Sequence, residues 1–593
     1  MESKKERSPL WNIIRTEWVY LGSRKKRFLF QASLFVIAGV ISLLTPLVIG
    51  SVFNSIQQNI TSTAELKRLI LMIFLLLAIS LGFWIFHGAG RIMEILTGFF
   101  VHRNYTNSKM RKVLELPVRW HKDHHSGDTI DKINRGRGAI ASFSQDIFFD
   151  VIYAFLNIFG SLIILFFVDV KIASFTAIFS LIVIFTMIKM DKKLNKHYDD
   201  LNKFSNKLSA AIYDYVGNIL TIITLRLKKS VAREVDNRLM ASYQTHRKSS
   251  ILNELKWGFA DISLTLMTVL VLVYKAYSDY TTTGVILIGT LYILYGYLNI
   301  VGSTFFKFAY LYGSIVRENS KIEGAYPIDR AFEQIKKTAF RKLPPDWVTI
   351  KIEGLSFTYD QEGKIKHLDK INLGFERGQK IALIGESGSG KSTILSLIGG
   401  HYSPDKGKLY CNGIKIEAGF EKLKQHVTLV PQDPEIFNNT IKYNITMDIK
   451  IEKKDLDEVI SMVRLNQVIS RLDKGLNTNV LEKGVSLSGG EKQRLALARG
   501  LIAAKNSEIV LLDEPTSSVD YLNEVQIYED IFKKFKNKTI LSSVHKLYLL
   551  KNFDYIYMFD KGKIVAEGTF AELKKNPRFM RIWKKYGSTK EIK

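Results

Sequence analysis

At 593 residues the chain is too long for one hydrophobic core and calls for at least two domains. Its 47% apolar content averages two unlike halves: residues 1–310 hold long apolar runs, while 345–593 alternate short strand-like runs with charged helical ones. The net charge of +27 would suit a nucleic-acid-binding protein, but its placement beside apolar runs tells against nucleic acid, and a single cysteine, Cys411, excludes an intramolecular disulfide.

Lys4, Lys5, Arg7, Arg15, Arg24, Lys25, Lys26 and Arg27 stand just before the first apolar run. Six runs approach the roughly twenty residues a helix needs to cross a bilayer, at about 28–53, 68–89, 147–168, 172–190, 257–278 and 283–306. The first is too long for a cleaved signal and no small-residue cleavage site follows it, so it is expected to stay as an anchor. The links Asn54–Leu66, Asp169–Lys171 and Tyr277–Thr282 are short and poor in Lys and Arg, whereas 91–143 and 189–256 are long, polar and basic. That asymmetry predicts a multi-pass protein with both termini in the cytosol and the short links outside. The basic links also suit anionic lipid headgroups. The Asn59-Ile60-Thr61 sequon in an outer link carries little weight.

The stretch MEILTGFFVHRNYTNSKMRKVLEL places apolar residues at helical spacing, so the membrane helices are expected to continue into the cytosol. Each long link then becomes two helical legs joined by a turn, around Leu116–Asp128 and Asn218–Arg226, within reach of a cytosolic domain. His87 with Arg91, Asp261 and Asn299 are polar residues of the spans, suited to hydrogen bonding within the bundle or to substrate contact. His124 and His125 are adjacent, so their side chains point apart, and a solvated turn explains them better than a metal.

A polar linker, 318–347, contains Pro327 and Pro344-Pro345 and divides a membrane domain (1–317) from a cytosolic one (348–593). Its AFEQIKKTAF segment suits a short helix, and VTIKIEGLSFTYD after it alternates like an edge strand. Cys411 lies in the strand-like LYCNGIKI as a small buried apolar residue.

Gly385-Glu386-Ser387-Gly388-Ser389-Gly390-Lys391-Ser392 fits G-x-x-x-x-G-K-[ST], between a strand-like run and a helix-like one. The glycines admit phosphates close to backbone N–H groups, Lys391 neutralises them, and the Ser392 hydroxyl suits Mg2+. Further on, Ile509-Val510-Leu511-Leu512-Asp513-Glu514 reads as a buried parallel strand ending in two acids. Asp513 is placed to hold Mg2+, and Glu514 to orient and deprotonate an attacking water.

In order and spacing these motifs resemble an ATP-binding cassette (ABC) half-transporter of the exporter type, over nearly the whole chain. The resemblance implies an all-α six-helix membrane domain with long cytosolic helix extensions, followed by an α/β ATPase domain built on the phosphate loop. Tyr359 matches the aromatic that stacks on adenine, and Gly385 through Thr393 the phosphate cradle. Gln432 in VPQDPEIF matches the glutamine that joins Mg2+ to the membrane-domain contact. Ser488, Gly489 and Gly490 fall in the family signature, Ser518-Val519-Asp520 in the loop after the acidic strand, and His545 on the γ-phosphate histidine. Thr478–Gly484 (TNVLEKG) resembles a loop typical of exporters. The implied catalytic residues are Glu514 and His545, with ATP as the nucleotide and Ser392, Gln432 and Asp513 around Mg2+.

Three positions depart from the common pattern: Glu491 for glutamine, Leu481 for glycine, and Val544 for a small hydroxyl residue. None removes a phosphate, metal or water ligand. The family pairs head to tail, so Ser488–Gly490 of one chain would close on ATP held by Gly385–Thr393 of another. A homodimer is expected, with a related half-transporter as the other possible partner. The function implied is ATP-driven export or flipping of a hydrophobic or amphipathic cargo, whether lipid-like, drug or peptide, across a plasma membrane of bacterial type. The competing reading is an ATP-gated channel or regulatory subunit, which could dispense with Glu514, Ser488 and His545.

Overall fold

The computed structural model describes residues 8–335, 344, 346–359, 366–416, 419–480 and 487–586. The chain divides into two compact units, one of residues up to 116 with 124–334, the other of 117–123 with the remainder.

The first unit is helical. It comprises α1 (Pro9–Tyr20), α2 (Lys25–Ser42), α3 (Thr45–Gln57) and α4 (Thr63–Glu115). The short α5 (Val118–Asp123) belongs to the second unit. After it come α6 (Ser126–Ser142), α7 (Phe148–Val168), α8 (Val170–Gly217), α9 (Ile219–Thr224), α10 (Lys228–Met240), α11 (Tyr243–Thr283), α12 (Ile288–Glu323) and α13 (Tyr326–Gln334). A π-helical segment, Phe143–Ile147, joins α6 to α7. The expected cytosolic turns thus hold the short helices α5 and α9, and the legs on either side are long, with 53 residues in α4 and 48 in α8.

Local chemistry sets the helix ends. Pro46 supplies no N–H, so the first apolar run breaks between α2 and α3, and the Tyr297 hydroxyl donates to the Leu43 carbonyl beside the break (2.5 Å). Ser62 and Glu65 form a capping box that starts α4. The link expected at Tyr277–Thr282 is helix instead. Thr281, Thr282 and Thr283 donate their hydroxyls to the carbonyls four residues back, and the helix closes only at Gly284, at φ 71°.

By length and composition, five helical segments of the described residues can cross a membrane: Gly22–Gln57, Thr63–Glu115, Ser126–Val168, Val170–Gly217 and Lys228–Thr283. The run expected at 283–306 begins five residues later, in α12, and is not among them. Tyr292, Tyr295, Tyr297, Asn299 and the glycines Gly289, Gly296 and Gly302 dilute it. Burial compensates, because Leu294, Tyr297, Leu298 and Val301 are fully buried among neighbouring helices.

The linker expected from residue 318 also starts later. α12 runs to Glu323 and α13 packs on the unit through Ile328. Asp329 of α13 accepts from Lys109 (2.5 Å) and Lys112 (2.8 Å) of α4, with Lys109 buried. A second buried pair, Lys256–Asp191 at 2.9 Å, joins α11 to α8.

The second unit is α/β. Its strands and helices run β1 (Thr349–Phe357), β2 (Leu368–Glu376), β3 (Lys380–Ile384), α14 (Lys391–Ile398), β4 (Lys406–Cys411), β5 (Ile414–Lys415), α15 (Gly419–Leu423), β6 (Val427–Val430), α16 (Ile441–Thr446), α17 (Lys453–Met462), α18 (Asn466–Ser470), α19 (Gly489–Ala503), β7 (Ile509–Asp513), α20 (Tyr521–Lys534), β8 (Thr539–Ser543), β9 (Tyr555–Asp560), β10 (Lys563–Gly568), α21 (Phe570–Leu573) and α22 (Pro577–Tyr586). One sheet has the order β2-β1-β4-β5 and is antiparallel. The stretch read as an edge strand is therefore interior to it, paired on both sides. Cys411 is buried at the end of β4.

The other sheet, β10-β9-β3-β8-β7-β6, is parallel except for β10. Its strands alternate between two cores. Ile381, Leu383, Ile509, Leu511 and Leu541 meet α14 and the antiparallel sheet, while Ala382, Ile384, Val510, Leu512 and Ile540 meet α16, α17, α19 and α20. The phosphate-loop helix and the signature helix thus occupy opposite faces of one sheet.

Trp347 is fully buried, and its indole N–H donates to Glu508. Glu508 also meets His426 (3.0 Å) and Arg377 (3.4 Å).

Candidate active site

The phosphate loop leaves β3, the central buried strand, and enters α14 through Gly390 at φ 111°. At Gly385 (φ 149°) a Cβ would lie 2.3 Å from the Phe559 carbonyl oxygen, so no other residue fits. Glu386, Ser387, Gly388 and Ser389 form the turn between them, and the buried Ser389 hydroxyl has no hydrogen-bond partner. Lys391 is buried, and its ammonium donates to the carbonyls of Gly385 (2.8 Å) and Glu386 (3.1 Å). Burial pushes this lysine below its ordinary pKa, against the pull of Glu514 and Asp513. The loop is thus a cationic cradle of backbone groups at a helix start, which suits phosphate.

Ser392, next along α14, donates its hydroxyl to Asp513 Oδ1 at 3.0 Å, and Ser543 donates to the same oxygen at 2.7 Å. The register Asp513↔Ser543 between β7 and β8 makes that second contact inevitable. Hydroxyl and carboxylate oxygens side by side, with the Gln432 amide one partner away through Glu514, fit a hard divalent cation such as Mg2+. Among the described residues no group of three His, Cys, Asp or Glu side chains offers another metal site.

Glu514 follows Asp513 at the C-terminal end of β7, at φ 48°. Its Oε1 meets His545 Nε2 at 2.6 Å and its Oε2 accepts from Gln432 Nε2 at 2.9 Å. Three residues far apart in sequence therefore converge on one carboxylate. Tyr359 donates its hydroxyl to Thr393 Oγ1 (3.4 Å), tying the aromatic to the loop. Its ring packs edge-on against Phe357, His367 and Tyr402.

The signature residues stand elsewhere. Ser488 caps α19 on the opposite face of the sheet, and its hydroxyl accepts from the Glu491 N–H (3.4 Å) while Glu491 accepts from the Ser488 N–H (2.9 Å). A Cβ at Gly489 would meet nothing within 4 Å, whereas one at Gly490 would lie 2.6 Å from the Ser518 carbonyl oxygen. Gly490 is thus required by backbone packing on the loop after the acidic strand. Asp520 in that loop caps α20 by accepting from Asn523 N (3.1 Å), and its bonds to Asn523 hold its carboxyl below the usual range. Of the exporter loop Thr478–Gly484, residues 481–484, Leu481 included, lie outside the described residues.

Two family models match this arrangement: the ABC transporter transmembrane region over residues 28–313 and the ABC transporter model over 368–517. The chain is an ABC transporter. It carries both parts fused, spans the membrane several times, and couples ATP hydrolysis to export. A Rickettsia typhi protein named as an export ATP-binding/permease protein is 25% identical over 543 residues, 90% of the transporter and 92% of that chain. The human mitochondrial iron-sulfur clusters transporter ABCB7 is 30% identical over 401 residues, 65% of the transporter and 51% of that protein. A solved bacterial Atm1-family ABC exporter with ATP bound shares the fold at a TM-score of 0.82 and 21% identity, covering 95% of the transporter and 99% of that chain.

Several residues of the transporter's site carried no motif signal. Gln493 donates to Ser517 Oγ (2.6 Å) and accepts from Ser518 N (2.8 Å), fastening the signature helix to the loop after Glu514. Buried Glu524 accepts from Thr516 (2.6 Å), Lys546 (3.0 Å) and the Tyr548 hydroxyl, and Lys546 also donates to the Val519 carbonyl (2.9 Å). The residue after His545 is thereby bonded to the loop before α20. Lys122 of α5 lies over the rings of Tyr359 (5.4 Å) and Tyr402 (5.2 Å). Ser543 and Lys546, on either side of Val544-His545, and Gln493, just after the signature, lie beside motifs, but their partners do not.

Proposed function

We propose that the transporter works as a homodimer with two composite sites, each closing Gly385–Thr393 of one copy and Ser488–Gly490 of the other around ATP. The observation that carries the reading is the convergence of Gln432 and His545 on Glu514 beside the Ser392–Asp513 pair. Glu514 acts as general base on the attacking water, and His545 and Gln432 fix its orientation. Mg2+, held by Ser392, Asp513 and Gln432, neutralises charge on the phosphates when bound. Lys391 does the same from the loop, and Tyr359 carries the adenine. The placement of α14 and α19 on opposite faces of the sheet supports a signature that serves a partner's nucleotide.

α9 exposes Ile219, Leu220 and Ile223, with Leu225 just after it, an apolar face that suits docking on the partner copy's ATPase domain. ATP-driven closure would then reach the membrane helices through it and through α5, switching them from inward-open to outward-open. The cargo is hydrophobic or amphipathic. Supporting this, Phe35, Phe83 and Phe149 surround His87 in the first unit. The membrane is a plasma membrane of bacterial type with both termini in the cytosol, an orientation that the basic long links support.

The test is native mass spectrometry of Glu514→Gln, expressed alone with ATP and Mg2+. Two chains with two ATP are expected. A monomer with at most one ATP would sink the homodimer and point to a related half-transporter as partner. Transport by wild type into sealed vesicles, with lipid, lipophilic dye and glutathione as probes, tests the cargo class. Uptake of glutathione alone would overturn it.

A further inference from the structure

Glu491 places a carboxylate in the first turn of α19, 7% exposed, with one oxygen on the Ser488 N–H. A negative charge there satisfies the helix end that the composite-site reading reserves for a phosphate, and repels that phosphate. An opposite charge lies beside it. Arg471, 20 residues earlier, brings Nη2 to 2.5 Å from Glu491 Oε1. Burial alone would raise the Glu491 carboxyl, yet the Ser488 bonds and Arg471 hold it below the ordinary range, so it is ionised at neutral pH. Ser488 and Gly489 remain exposed at the helix start.

We propose that Arg471 is a charge-compensating residue that cancels Glu491 and so keeps the Ser488–Gly490 helix end receptive to the partner's ATP. The inference rests on the composite-site reading. Arg471 touches no phosphate and acts through Glu491 as a positioning and neutralising residue. Its effect therefore depends on Glu491 being charged. Removing Arg471 leaves a net negative charge at the signature, removing the Glu491 charge leaves a net positive one, and removing both restores neutrality.

The test is a four-variant cycle in the hydrolysis-blocked Glu514→Gln chain. It reads the ATP concentration giving half-maximal dimer by native mass spectrometry, with Mg2+, at about 50 mM and about 500 mM salt. Arg471→Ala is expected to raise that concentration about 5- to 10-fold at low salt, and less than 2-fold at high salt, where exposed charges are screened. Glu491→Gln alone is expected to lower it. Arg471→Ala with Glu491→Gln is expected to return within about 2-fold of the parent, which a merely structural role for Arg471 would not produce. No change in Arg471→Ala, or a defect that Glu491→Gln fails to rescue, overturns the inference while leaving the composite site standing. Failure of the parent chain to dimerise with ATP overturns the composite-site reading itself, and this inference with it.

Discussion

The Glu514 carboxylate has His545 on one oxygen and Gln432 on the other, so its orientation is set by two partners before any water arrives. Replacing it by glutamine keeps the shape and removes the basicity. We expect Glu514→Gln to lower steady-state phosphate release about 10²- to 10⁴-fold, with ATP affinity within a few-fold of wild type, measured by release assay and by nucleotide binding. Glu508 makes a different point. Burial would raise its carboxyl, but the Trp347 N–H, His426 and Arg377 overcome that and hold it below its ordinary value of 4.5. Its contribution is therefore complete above about pH 4.5 and fades as pH falls through the lower folded value. The difference in melting temperature between wild type and Glu508→Gln should shrink as the pH falls below about 4.5. A gap that grows on acidification below that value would contradict the assignment. The phosphate loop and both acids were legible because short contiguous motifs encode them. Gln493, Glu524 and Lys546 were not, since each acts on a residue that only the fold brings near.

Among elements, α13 shows how a docked helix can pass for a linker. Its sequence is polar, yet Asp329 bonds Lys109 and Lys112 and Ile328 is buried. Asp329→Ala strands the Lys109 ammonium in the interior. It should cost about 3 kcal/mol in the stability of the helical unit, read by denaturant unfolding in detergent. A loss below about 1 kcal/mol would mean that Lys109 finds water or another acceptor. The helical legs were legible from apolar periodicity, and the short helices α5 and α9 fall where the turns were expected. Two ends were not. The threonines before Gly284 prolong α11 by side-chain bonds to its own carbonyls, and the tyrosines, Asn299 and glycines of α12 lower its hydropathy, although Tyr297 itself is buried among neighbouring helices.

For the whole molecule, the exposed apolar face of α9 is the feature that a single chain leaves unexplained. If it docks on a partner, Leu220→Asp should cut transport about 10-fold or more while ATP binding stays within 2-fold, because a buried charge is costly only in the docked state. Equal transport by the variant would remove α9 from the coupling path. The two-domain order and the P-loop class of the second half were readable from the apolar runs and GESGSGKS. The separation of α14 from α19 was expected from the family resemblance alone, since it depends on which face of the sheet each helix packs against.

One consequence of helix continuity is mechanical. α4 carries the apolar run 68–89 and then continues unbroken to Glu115. At 1.5 Å per residue the part beyond that run projects about 40 Å, longer than the roughly 30 Å of helix inside a bilayer. The helix is a lever with its long arm beyond the apolar run. A change of tilt of about 5° at the pivot sweeps the far tip sideways by about 3–4 Å, roughly the reach of one hydrogen bond. Run in reverse, the gearing trades travel for force. A displacement of a few ångströms at the tip becomes a small, strong rotation among the packed membrane segments.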